Sequence, residues 1–471
     1  PGFNASLDLA VGDVGWALPQ WTGLADAWFL DGFAPSSNPD MWSDAVLDGI
    51  AARSASGARL ATFTVAGAVR RGLAVRGFAV DKRPGHGRKR ERLEARLPGE
   101  TAPAQRTPSV AIVGAGIAGA ALVRAFAAHG VKATVIEARR PGAGASGFPA
   151  ALVTPRLDAG DDEIAALHAQ ALTRAKTLYA ATPGAVIAEG VLQLEQAPRD
   201  AGRFARVAAQ PIWPEGAMAV RDAAACSEEL GEPVGSGGLW MRDAMAVHPA
   251  AILEAWLGEA DRLTATVGRI EAAGEGWRIV DEAGVAMVEA DVVVVAAGWG
   301  VAGLRPGLSL APVRGQADWV EGVEAGPVAW GGYAAPTRAG LLFGATHDRG
   351  ETGGEPSEDA SARNLTTVAA RLPGLAARIA AAERSCSRTA VRATTPDRLP
   401  LAGAAPEATG LFVLGGMGSR GFCVAPLLAE HVAALALGAP SPLPAALAAR
   451  VSPLRNAIAG RLVQPIAKAD G

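Results

Sequence analysis

Three glycines and one glutamate have the spacing of a dinucleotide-binding turn. The residues from Ser109 form an apolar, β-branched run that predicts a strand, and Gly114, Gly116 and Gly119 follow it at the start of a small-residue helix. Such glycines allow a sharp turn, close approach of backbone N–H groups to a pyrophosphate, and tight packing of the helix on the strand. A second apolar run ends at Glu137, where a carboxylate can accept hydrogen bonds from ribose hydroxyls. This motif predicts a dinucleotide cofactor, but it does not by itself distinguish FAD from a nicotinamide.

Two further glycine-rich segments have the composition to contact the same cofactor. Ser146 and Gly147 follow the second strand in a loop that can present N–H groups and a hydroxyl to phosphates or to a flavin ring; a flexible connector is the alternative. A second turn, before a helix predicted from about Ala425, consists of Gly418, Ser419, Arg420 and Gly421. A helix N-terminus there suits the anionic edge of a reduced flavin, and a purely structural turn is the alternative.

One strand and one arginine complete the candidate oxidoreductase site. The run from Glu289 to Gly298 predicts a continuous apolar strand, buried on both faces as in a parallel sheet. Such a strand recurs in flavoproteins with two dinucleotide folds, so it favours FAD over a nicotinamide. Arg392 is a planar, bidentate donor suited to a carboxylate, and a surface arginine is the alternative interpretation.

Composition excludes several classes of protein. The 471 residues are 49% hydrophobic and 19% charged, which predicts two or three domains with sizeable cores. A net charge of −3 means that any nucleic-acid contact must come from a local patch. The 3 cysteines and 6 histidines are scattered, which argues against disulfides and metal ligation and fits a reducing cytoplasm. No apolar run is long enough to span a membrane, and because the sequence begins at Pro1 within an apparent domain, we expect an N-terminal truncation.

Residues 1–98 have the alternating pattern of the second half of a parallel α/β domain. A strand at 26–30 ends at Asp31, and further strands are predicted at 57–64 and 78–82, around helices from Asn38 and near 67–76. The densest basic run of the chain follows, from Lys82 to Arg96. It suits a phosphate backbone, although a solvated charged face is the alternative. Residues 99–108 have the composition of a linker.

Several N-terminal segments resemble the methyltransferase domain of the bifunctional tRNA wobble-uridine modification enzymes of 5-methylaminomethyl-2-thiouridine biosynthesis. The segments that carry the resemblance are 26–35, 38–42, 60–64, 69–73 and 87–90. The resemblance implies a class I fold, S-adenosylmethionine as methyl donor, an Asp31 that positions or deprotonates the substrate amine, and Phe33 beside the target base. Because the half that would bind S-adenosylmethionine is missing, we expect no methyl transfer by the chain as given.

The remainder resembles the FAD domain of the same family and the glycine oxidase and D-amino-acid oxidase class. The matching segments are 114–119, 144–147, 332–336, 344–346, 391–392, 397–400, 418–421 and 425–426. The resemblance implies that Arg392 grips the substrate carboxylate and that Tyr333 closes the pocket. It implies a non-covalent FAD, since no cysteine is positioned for attachment. The implied reaction oxidises carboxymethylaminomethyl-uridine in tRNA to aminomethyl-uridine and glyoxylate, and no separate catalytic base is assigned.

The predicted fold class is therefore α/β: a partial class I methyltransferase domain, then a two-dinucleotide-fold FAD-binding domain with an antiparallel-sheet substrate domain. The FAD-binding segments are expected at 109–185, 245–307 and 388–471, and the substrate segments at 186–244 and 308–387. tRNA is the expected partner, also through the Lys82–Arg96 run and the C-terminal Arg450, Arg455, Arg461 and Lys468. We expect a cytoplasmic monomer without metal. A free-standing oxidase of glycine or sarcosine and a tRNA-binding module with idle catalytic sites are the alternatives.

Overall fold

The computed structural model describes residues 7–87, 89–100, 106–258, 260–406 and 408–455. These residues form two compact units. The small unit lies within Ser6–Thr107 and includes Leu437–Ala448, and the large unit lies within Pro108–Ala436 and includes the described residues from Ala449 onward. The division at Thr107 falls in the predicted linker, of which residues 101–105 lie outside the described part of the chain. The finer division of residues 109–471 into cofactor and substrate segments stays a prediction.

The small unit is a four-stranded sheet with helices packed on it. Its helices are α1 (Val14–Gln20), α2 (Asp44–Ala52) and α3 (Gly67–Val75), with a 3-10 turn at Asp40–Trp42. Its strands are β1 (Ala25–Leu30), β2 (Ser54–Thr62), β3 (Ala79–Pro84) and β4 (Glu91–Arg96). The order is β1-β2-β4-β3, with β1 and β2 parallel and the other pairs antiparallel. Leu47, Ile50 and Leu73 lie in its buried core.

Two expectations about this unit need correction. The basic run predicted as a surface segment contains strand β4, which forms an antiparallel hairpin with β3. The sheet is therefore not wholly parallel. Both differences have the same cause. Pairing with β3 places the charged residues of β4 in a strand, although their polarity gave no indication of a strand in the sequence.

The large unit contains most of the helices and strands of the described chain. Its helices, with the last one of the chain, are α4 (Ile117–Ala128), α5 (Asp162–Ala180), α6 (Arg199–Ala208), α7 (Ala223–Leu230), α8 (Pro249–Leu257), α9 (Val301–Leu304), α10 (Glu358–Ala369), α11 (Pro373–Ala380), α12 (Gly421–Leu437) and α13 (Ala445–Val451). A 3-10 turn spans Gly298–Gly300. Its strands are β5 (Val110–Val113), β6 (Ala133–Glu137), β7 (Ala151–Val153), β8 (Val186–Leu194), β9 (Met218–Arg221), β10 (Gly238–Val247), β11 (Asp261–Thr264), β12 (Val267–Ala273), β13 (Gly276–Asp281), β14 (Ala286–Ala290), β15 (Val292–Val295), β16 (Ala311–Glu321), β17 (Val328–Ala329), β18 (Tyr333–Pro336), β19 (Gly340–Gly344), β20 (Asp348–Arg349), β21 (Ser385–Thr394), β22 (Leu401–Ala404) and β23 (Leu411–Gly415).

A six-stranded sheet, in the order β11-β6-β5-β15-β23-β22, places the nucleotide motif. All its neighbours are parallel except β22 and β23. Strands β5 and β15 are buried along their whole length, as expected for a sheet covered on both faces. Because β5, β6, β15 and β23 run in one direction, the residues that follow them meet at one edge of the sheet.

The predicted continuous strand over 289–298 is wrong in one respect. The structure divides it into the end of β14 and the separate strand β15, with Asp291 between them. Asp291 accepts hydrogen bonds from the backbone N and the Oγ of Ser109, both at 2.7 Å. This contact anchors the start of β5 beside β15 and interrupts the ladder.

The second large sheet has ten strands and confirms the predicted antiparallel section. Its main order is β20-β16-β19-β18-β17-β8-β10-β7, with β21 on β16 and β9 on β10. Strands β16 and β21 pair antiparallel over ten residues, from Ala311 with Thr394 to Val320 with Ser385. A third sheet joins β12, β13 and β14. The long β16–β21 pair matters most for the site, because it holds Arg392.

Candidate functional site

A single cavity of about 1240 Å³ in the large unit gathers most of the predicted site residues. It lies where the parallel strands end and extends to strands β18 and β21 of the ten-stranded sheet. The predicted residues that line it are Gly114, Gly116, Glu137, Ser146, Gly298, Tyr333, Arg392, Gly418, Ser419, Arg420 and Gly421. Gly119 and Gly147 do not line it, and Asp31 belongs to the small unit.

The first glycine turn has no room for side chains. Gly114 has φ +110°, and a Cβ there would lie 2.6 Å from the carbonyl oxygen of Ala296. A Cβ on Gly119 would lie 1.9 Å from the carbonyl oxygen of Gly114. Gly119 therefore supports the turn by close helix packing, which explains why it does not reach the cavity.

Glu137 and Ser146 are fixed around the start of helix α4. The Glu137 carboxylate accepts hydrogen bonds from the backbone N of Ala115 at 2.8 Å and of Arg139 at 3.2 Å. The Ser146 hydroxyl accepts one from the backbone N of Ile117, in the first turn of α4, at 2.9 Å. The carboxylate is thus held at the end of β6, and the serine loop is attached to the helix N-terminus.

An arginine that the sequence analysis did not single out, Arg388, binds the backbone of the loop that contains Ser146. The Arg388 guanidinium donates to the carbonyl oxygens of Gly147 at 2.6 Å, Gly142 at 3.0 Å, Ala143 at 2.5 Å and Gly144 at 3.1 Å. Burial lowers the pKa of Arg388 from its ordinary value, and the positive charges of nearby arginines lower it further. A usable signal was present in the sequence: Arg388 and Arg392 are four residues apart, so a strand places them on one face.

The second glycine turn is hydrogen-bonded to strand β21. The backbone N of Gly418 donates to the carbonyl oxygen of Ala393 at 3.0 Å, and Thr394 bridges to Met417. Gly416 and Gly418 have φ of +64° and +53°, in the left-handed region that glycine adopts easily. Helix α12 begins at Gly421, four residues before the predicted start, because the turn residues themselves continue into the first helical turn.

Arg420 lines the cavity, but its guanidinium is used within the fold. It donates to the carbonyl oxygen of Thr154 at 3.2 Å and to the Thr154 hydroxyl. Burial lowers its pKa from the ordinary value. The Arg420 side chain therefore links the start of α12 to the segment after β7. The part of the second glycine turn that remains available to a ligand in the cavity is its backbone.

Arg392 lies on β21 at the end of the cavity near the ten-stranded sheet. It is paired with Val313 of β16, and its Nη1 is 3.4 Å from Nδ1 of His347. A Cβ on Gly315 would lie 2.2 Å from its Nη2, so this glycine provides the space that the guanidinium fills. Burial and then the positive charge of Arg392 lower the pKa of His347. Gly315 and His347 carry no sequence motif, and only the register of β16 and β21 brings them to Arg392.

Tyr333 lines the same cavity from strand β18, where it is paired with Gly344 of β19. Burial raises the pKa of its phenol, and Asp318 adds to the increase although Arg392 opposes it. The phenol therefore keeps its proton at neutral pH and can donate a hydrogen bond. Arg392 and Tyr333 together supply one positive charge and one neutral donor.

A buried polar network fixes the register beneath Arg392. The Asp318 side chain of β16 is fully buried, and its Oδ1 accepts hydrogen bonds from Ser361 Oγ at 2.7 Å and Ser387 Oγ at 2.5 Å. Its Oδ2 accepts one from Asn364 Nδ2 at 2.5 Å. The network joins β16, β21 and α10, so a register slip of the strand that carries Arg392 would leave a buried carboxylate unpaired.

These features fit a bound FAD. Two helices, α4 and α12, begin at the cavity, and their N-termini can bind negatively charged groups. Glu137 lies at the end of β6. Glycines occupy the turn positions at which a side chain would clash with neighbouring backbone. Within the described residues, no cysteine lines the cavity and no group of His, Cys, Asp and Glu has the arrangement of a metal site. None of the helices in the described segments combines the length and apolar composition of a membrane span.

Asp31 lies in the loop that follows strand β1 of the small unit and is exposed. Its backbone N donates to the carbonyl oxygen of Phe29 at 3.1 Å, and Trp42 Nε1 donates to the carbonyl oxygen of Phe33 at 2.8 Å. The Phe33 side chain is 71% exposed. The predicted pair of an acid and an aromatic ring is therefore presented on one loop of this unit.

Comparison with known proteins assigns both parts of the chain. Residues 109–435 match the family model of FAD dependent oxidoreductases, and residues 1–98 match that of S-adenosyl-L-methionine-dependent methyltransferases. The chain is 54% identical over 458 residues to the tRNA 5-methylaminomethyl-2-thiouridine biosynthesis bifunctional protein MnmC of Caulobacter sp. (strain K31), covering 97% of this chain and 75% of the relative. It is 42% identical over 426 residues to the protein of the same name from Maricaulis maris (strain MCS10), covering 90% and 68%.

Solved structures support the fold of the large unit. Glycine oxidase from Geobacillus kaustophilus superposes with a TM-score of 0.63 at 24% identity, covering 73% of this chain and 98% of that one. Iminodiacetate oxidase from Chelativorans sp. BNC1 gives 0.63 at 22% identity, covering 73% and 98%. With the domain matches and the curated relatives, the chain belongs to the family of tRNA 5-methylaminomethyl-2-thiouridine biosynthesis bifunctional proteins, as an FAD-dependent oxidoreductase joined to a methyltransferase segment.

Proposed function

We propose that the large unit oxidatively removes the carboxymethyl group of carboxymethylaminomethyl-uridine, or its 2-thio form, at the wobble position of tRNA. The products are aminomethyl-uridine and glyoxylate. The observation that carries the proposal is Arg392, a cavity-lining guanidinium whose one hydrogen-bond contact in the described structure is to His347, 3.4 Å away. A secondary amine that ends in a carboxylate matches this charge, and its carboxylate is the group that a bidentate donor binds best.

Each residue at this end of the cavity has a definite task in the proposal. Arg392 binds the carboxylate and so orients the adjacent α-carbon, while Gly315 leaves the guanidinium its space. The protonated Tyr333 phenol donates a hydrogen bond and covers the substrate. His347 stays neutral at neutral pH because its pKa is lowered, so it does not add a second charge beside the carboxylate.

The cofactor end of the cavity supplies binding. The start of α4, the Glu137 carboxylate and the loop of Ser146 would hold the dinucleotide part of a non-covalent FAD, and the start of α12 would lie at its ring. FAD supplies the chemistry when bound, by accepting a hydride from the substrate α-carbon. Water then cleaves the oxidised C–N bond, which returns the amine to the uridine and releases the two-carbon aldehyde acid.

For residues 1–98 we propose a part in the next step of the same family chemistry. The methyltransferase domain to which they belong would transfer a methyl group from S-adenosylmethionine to the aminomethyl nitrogen. The support is the family match of this segment and the exposed loop that carries Asp31 and Phe33. With a tRNA substrate, the reaction would take place in the cytoplasm.

A direct test uses the purified chain with its bound cofactor. The visible absorption spectrum should be that of a flavin, and acid precipitation should leave the yellow colour in the supernatant. Incubation with tRNA that carries carboxymethylaminomethyl-uridine, in the presence of dioxygen or a redox dye, should yield aminomethyl-uridine after nuclease digestion, with one glyoxylate per conversion. Unchanged tRNA together with hydrogen peroxide from free glycine would overturn the proposal in favour of a free-standing amino-acid oxidase, which the two-part family match does not favour.

A further inference from the structure

The cavity carries more positive charge at its substrate end than one carboxylate requires. Arg392 and Arg398 both line it, and the positive charges of Arg349, Arg392 and Arg398 all act on His347. A carboxymethylamino group has one carboxylate, and the proposed function assigns it to Arg392. Arg349 and Arg398 are exposed, so their charges remain to be explained.

The local acids do not neutralise these two arginines. Asp348 is held by Arg314 at 3.3 Å and Arg363 at 3.0 Å. Asp397, the neighbour of Arg398 in the chain, is held by Arg455 at 2.8 Å. Within the described residues, the guanidinium groups of Arg349 and Arg398 make no hydrogen bond or ion pair. Both are therefore exposed, uncompensated cations. Arg398 lines the cavity, whereas Arg349 does not line it but lies two residues after the cavity-lining His347.

The backbone of Arg398 points to a function for its side chain. Its φ is +60°, and among the residues that the structure describes it is the one non-glycine residue with a positive φ. A left-handed conformation is unfavourable for an L-residue because its Cβ approaches the backbone too closely, whereas glycine adopts it freely. The turn is held by the Arg398 N–H to the carbonyl oxygen of Thr395 at 3.1 Å and by the Thr395 hydroxyl to that of Leu399 at 2.7 Å. A strained residue kept where glycine would fit indicates that the guanidinium is used.

We propose that Arg398, together with Arg349, binds backbone phosphates of the nucleotides that flank the modified uridine. This inference rests on the proposed function, because the substrate is then a nucleotide within an RNA strand. Phosphates accompany such a substrate on both sides, and contacts to them position the nucleotide without reading its sequence. Arg392 would select the carboxylate, and the two outer arginines would select a substrate that is part of a polynucleotide.

The test compares one glycine variant with a matched control in the FAD-loaded protein. Arg398→Gly removes the guanidinium but suits the left-handed backbone, so loss of folding does not confound it. Arg349→Ala is the second variant, and Arg206→Ala on helix α6 is the control, because Arg206 is exposed and does not line the cavity. The readouts are the tRNA dissociation constant over a series of salt concentrations and kcat/KM on tRNA and on the free carboxymethylaminomethyl-uridine nucleoside.

We expect each outer-arginine variant to weaken tRNA binding about five- to tenfold and to reduce the slope of log affinity against log salt by about 0.7, the value for one single-strand phosphate contact. The ratio of kcat/KM on tRNA to that on the nucleoside should fall about tenfold, since the nucleoside has no phosphates. Arg206→Ala should leave both quantities at the wild-type value.

Three outcomes would overturn the inference. A wild-type salt slope in Arg398→Gly and Arg349→Ala, in a protein that still converts tRNA, would show that these arginines do not contact phosphate while the proposed function stands. An equal loss on the nucleoside and on tRNA would assign them to the reaction itself. If the wild-type protein converts neither tRNA nor the nucleoside, the proposed function fails and the inference fails with it.

Discussion

Two groups of basic residues in this protein look alike in composition but differ in what surrounds them. The Lys82–Arg96 run of the small unit folds into the β3–β4 hairpin, where Lys82 pairs with Glu91 at 3.0 Å and Arg92 with Glu94 at 2.5 Å. Arg83 pairs with Asp81 at 3.2 Å. The cavity group of the large unit consists of Arg392 and Arg398, which line the cavity, and the nearby Arg349, whose charge acts on His347. No carboxylate among the described residues contacts these three guanidinium groups. Three of the six described lysines and arginines of the dense run are thus paired with carboxylates, whereas none of the dispersed group is.

This difference shows that charge density along a chain is a poor guide to charge at a surface. Neighbouring strands place acids opposite bases, so a run of cations that contains glutamates becomes a set of surface ion pairs. In the hairpin, Lys89 and Arg90 remain without a carboxylate partner in the described structure, and Lys89 lies over the Phe63 ring at 5.1 Å. Arg88 lies outside the described residues.

The same correction applies to the C-terminal cations that the sequence assigned to tRNA. Arg450 pairs with Asp161 at 2.6 Å and with Glu163 at 3.0 Å. Arg455 pairs with Asp397 at 2.8 Å and donates to the carbonyl oxygens of Leu399 and Pro400. Both residues have structural partners in the large unit. Arg461 and Lys468 lie outside the described residues.

The largest effect is expected when the central cation of the cavity group is removed. Arg392→Ala should lower kcat/KM for oxidation of the modified tRNA by about 30- to 1000-fold, the effect of losing a charge-assisted anchor worth about 2–4 kcal/mol. Arg392→Lys should recover only part of this, because an ammonium does not bind a carboxylate in a bidentate manner. Steady-state kinetics measure kcat/KM of each variant, and the flavin absorption spectrum serves as the control for FAD loading. Near-wild-type kinetics in Arg392→Ala would show that Arg392 does not bind the substrate carboxylate.

The next effect concerns a cation that acts on the cofactor loop. Arg388→Ala removes four hydrogen bonds to carbonyl oxygens of residues 142–147 and should raise the FAD dissociation constant about tenfold, or about 1.4 kcal/mol. Fluorescence titration of the apoprotein with FAD measures the constant. Arg384→Ala, an exposed arginine just before β21, is the control and should bind FAD as the wild type does. Equal affinities in the two variants would contradict a role for Arg388 in holding the loop.

The hairpin cations provide a smaller and purely electrostatic test. The double variant Lys89→Ala with Arg90→Ala should weaken tRNA binding a few-fold and reduce the salt slope by about 1 to 1.5, since both charges lack a carboxylate partner. Lys82→Ala with Arg83→Ala removes two paired charges and should change the slope less. Filter binding over a salt series compares them. Equal slopes for both double variants and the wild type would show that the hairpin is a solvated charged face that does not contact tRNA.

The smallest effect tests a paired cation through pH. Arg455 and backbone hydrogen bonds lower the pKa of Asp397 to about 2, although burial opposes them. Because the folded pKa is below the unfolded one, this stabilisation is complete above about pH 4 and is lost as the pH falls toward 2. The carboxylate is 39% exposed, so we expect Asp397→Asn to cost only about 1 kcal/mol at neutral pH. Thermal unfolding at pH 7 and pH 3 measures this cost, which should shrink at the lower pH; the same cost at both would contradict the ion pair.

The sequence by itself determined the local chemistry of the cofactor site and the family. The Gly114–Gly119 turn, the acid at Glu137, the second glycine turn and the residues around Arg392 are each specified within short segments, because tight turns and strand ends depend on nearby residue types. The strand predicted at 26–30 and the apolar run that ends at Glu137 correspond to β1 and β6, to within one residue.

Only the tertiary structure decided which charges are free and which residues meet. Arg388, Gly315 and His347 enter the site through the pairing of β16 with β21 and the loop after β19. No local pattern marks Gly315 or His347, and the spacing of Arg388 from Arg392 indicates only that a strand would place both on one face. The hairpin acids, Asp161 and Asp397 neutralise cations that looked available in the sequence. The physical reason is that strand register and ion pairing join residues far apart in the chain, whereas hydrophobic periodicity and glycine spacing are properties of neighbours.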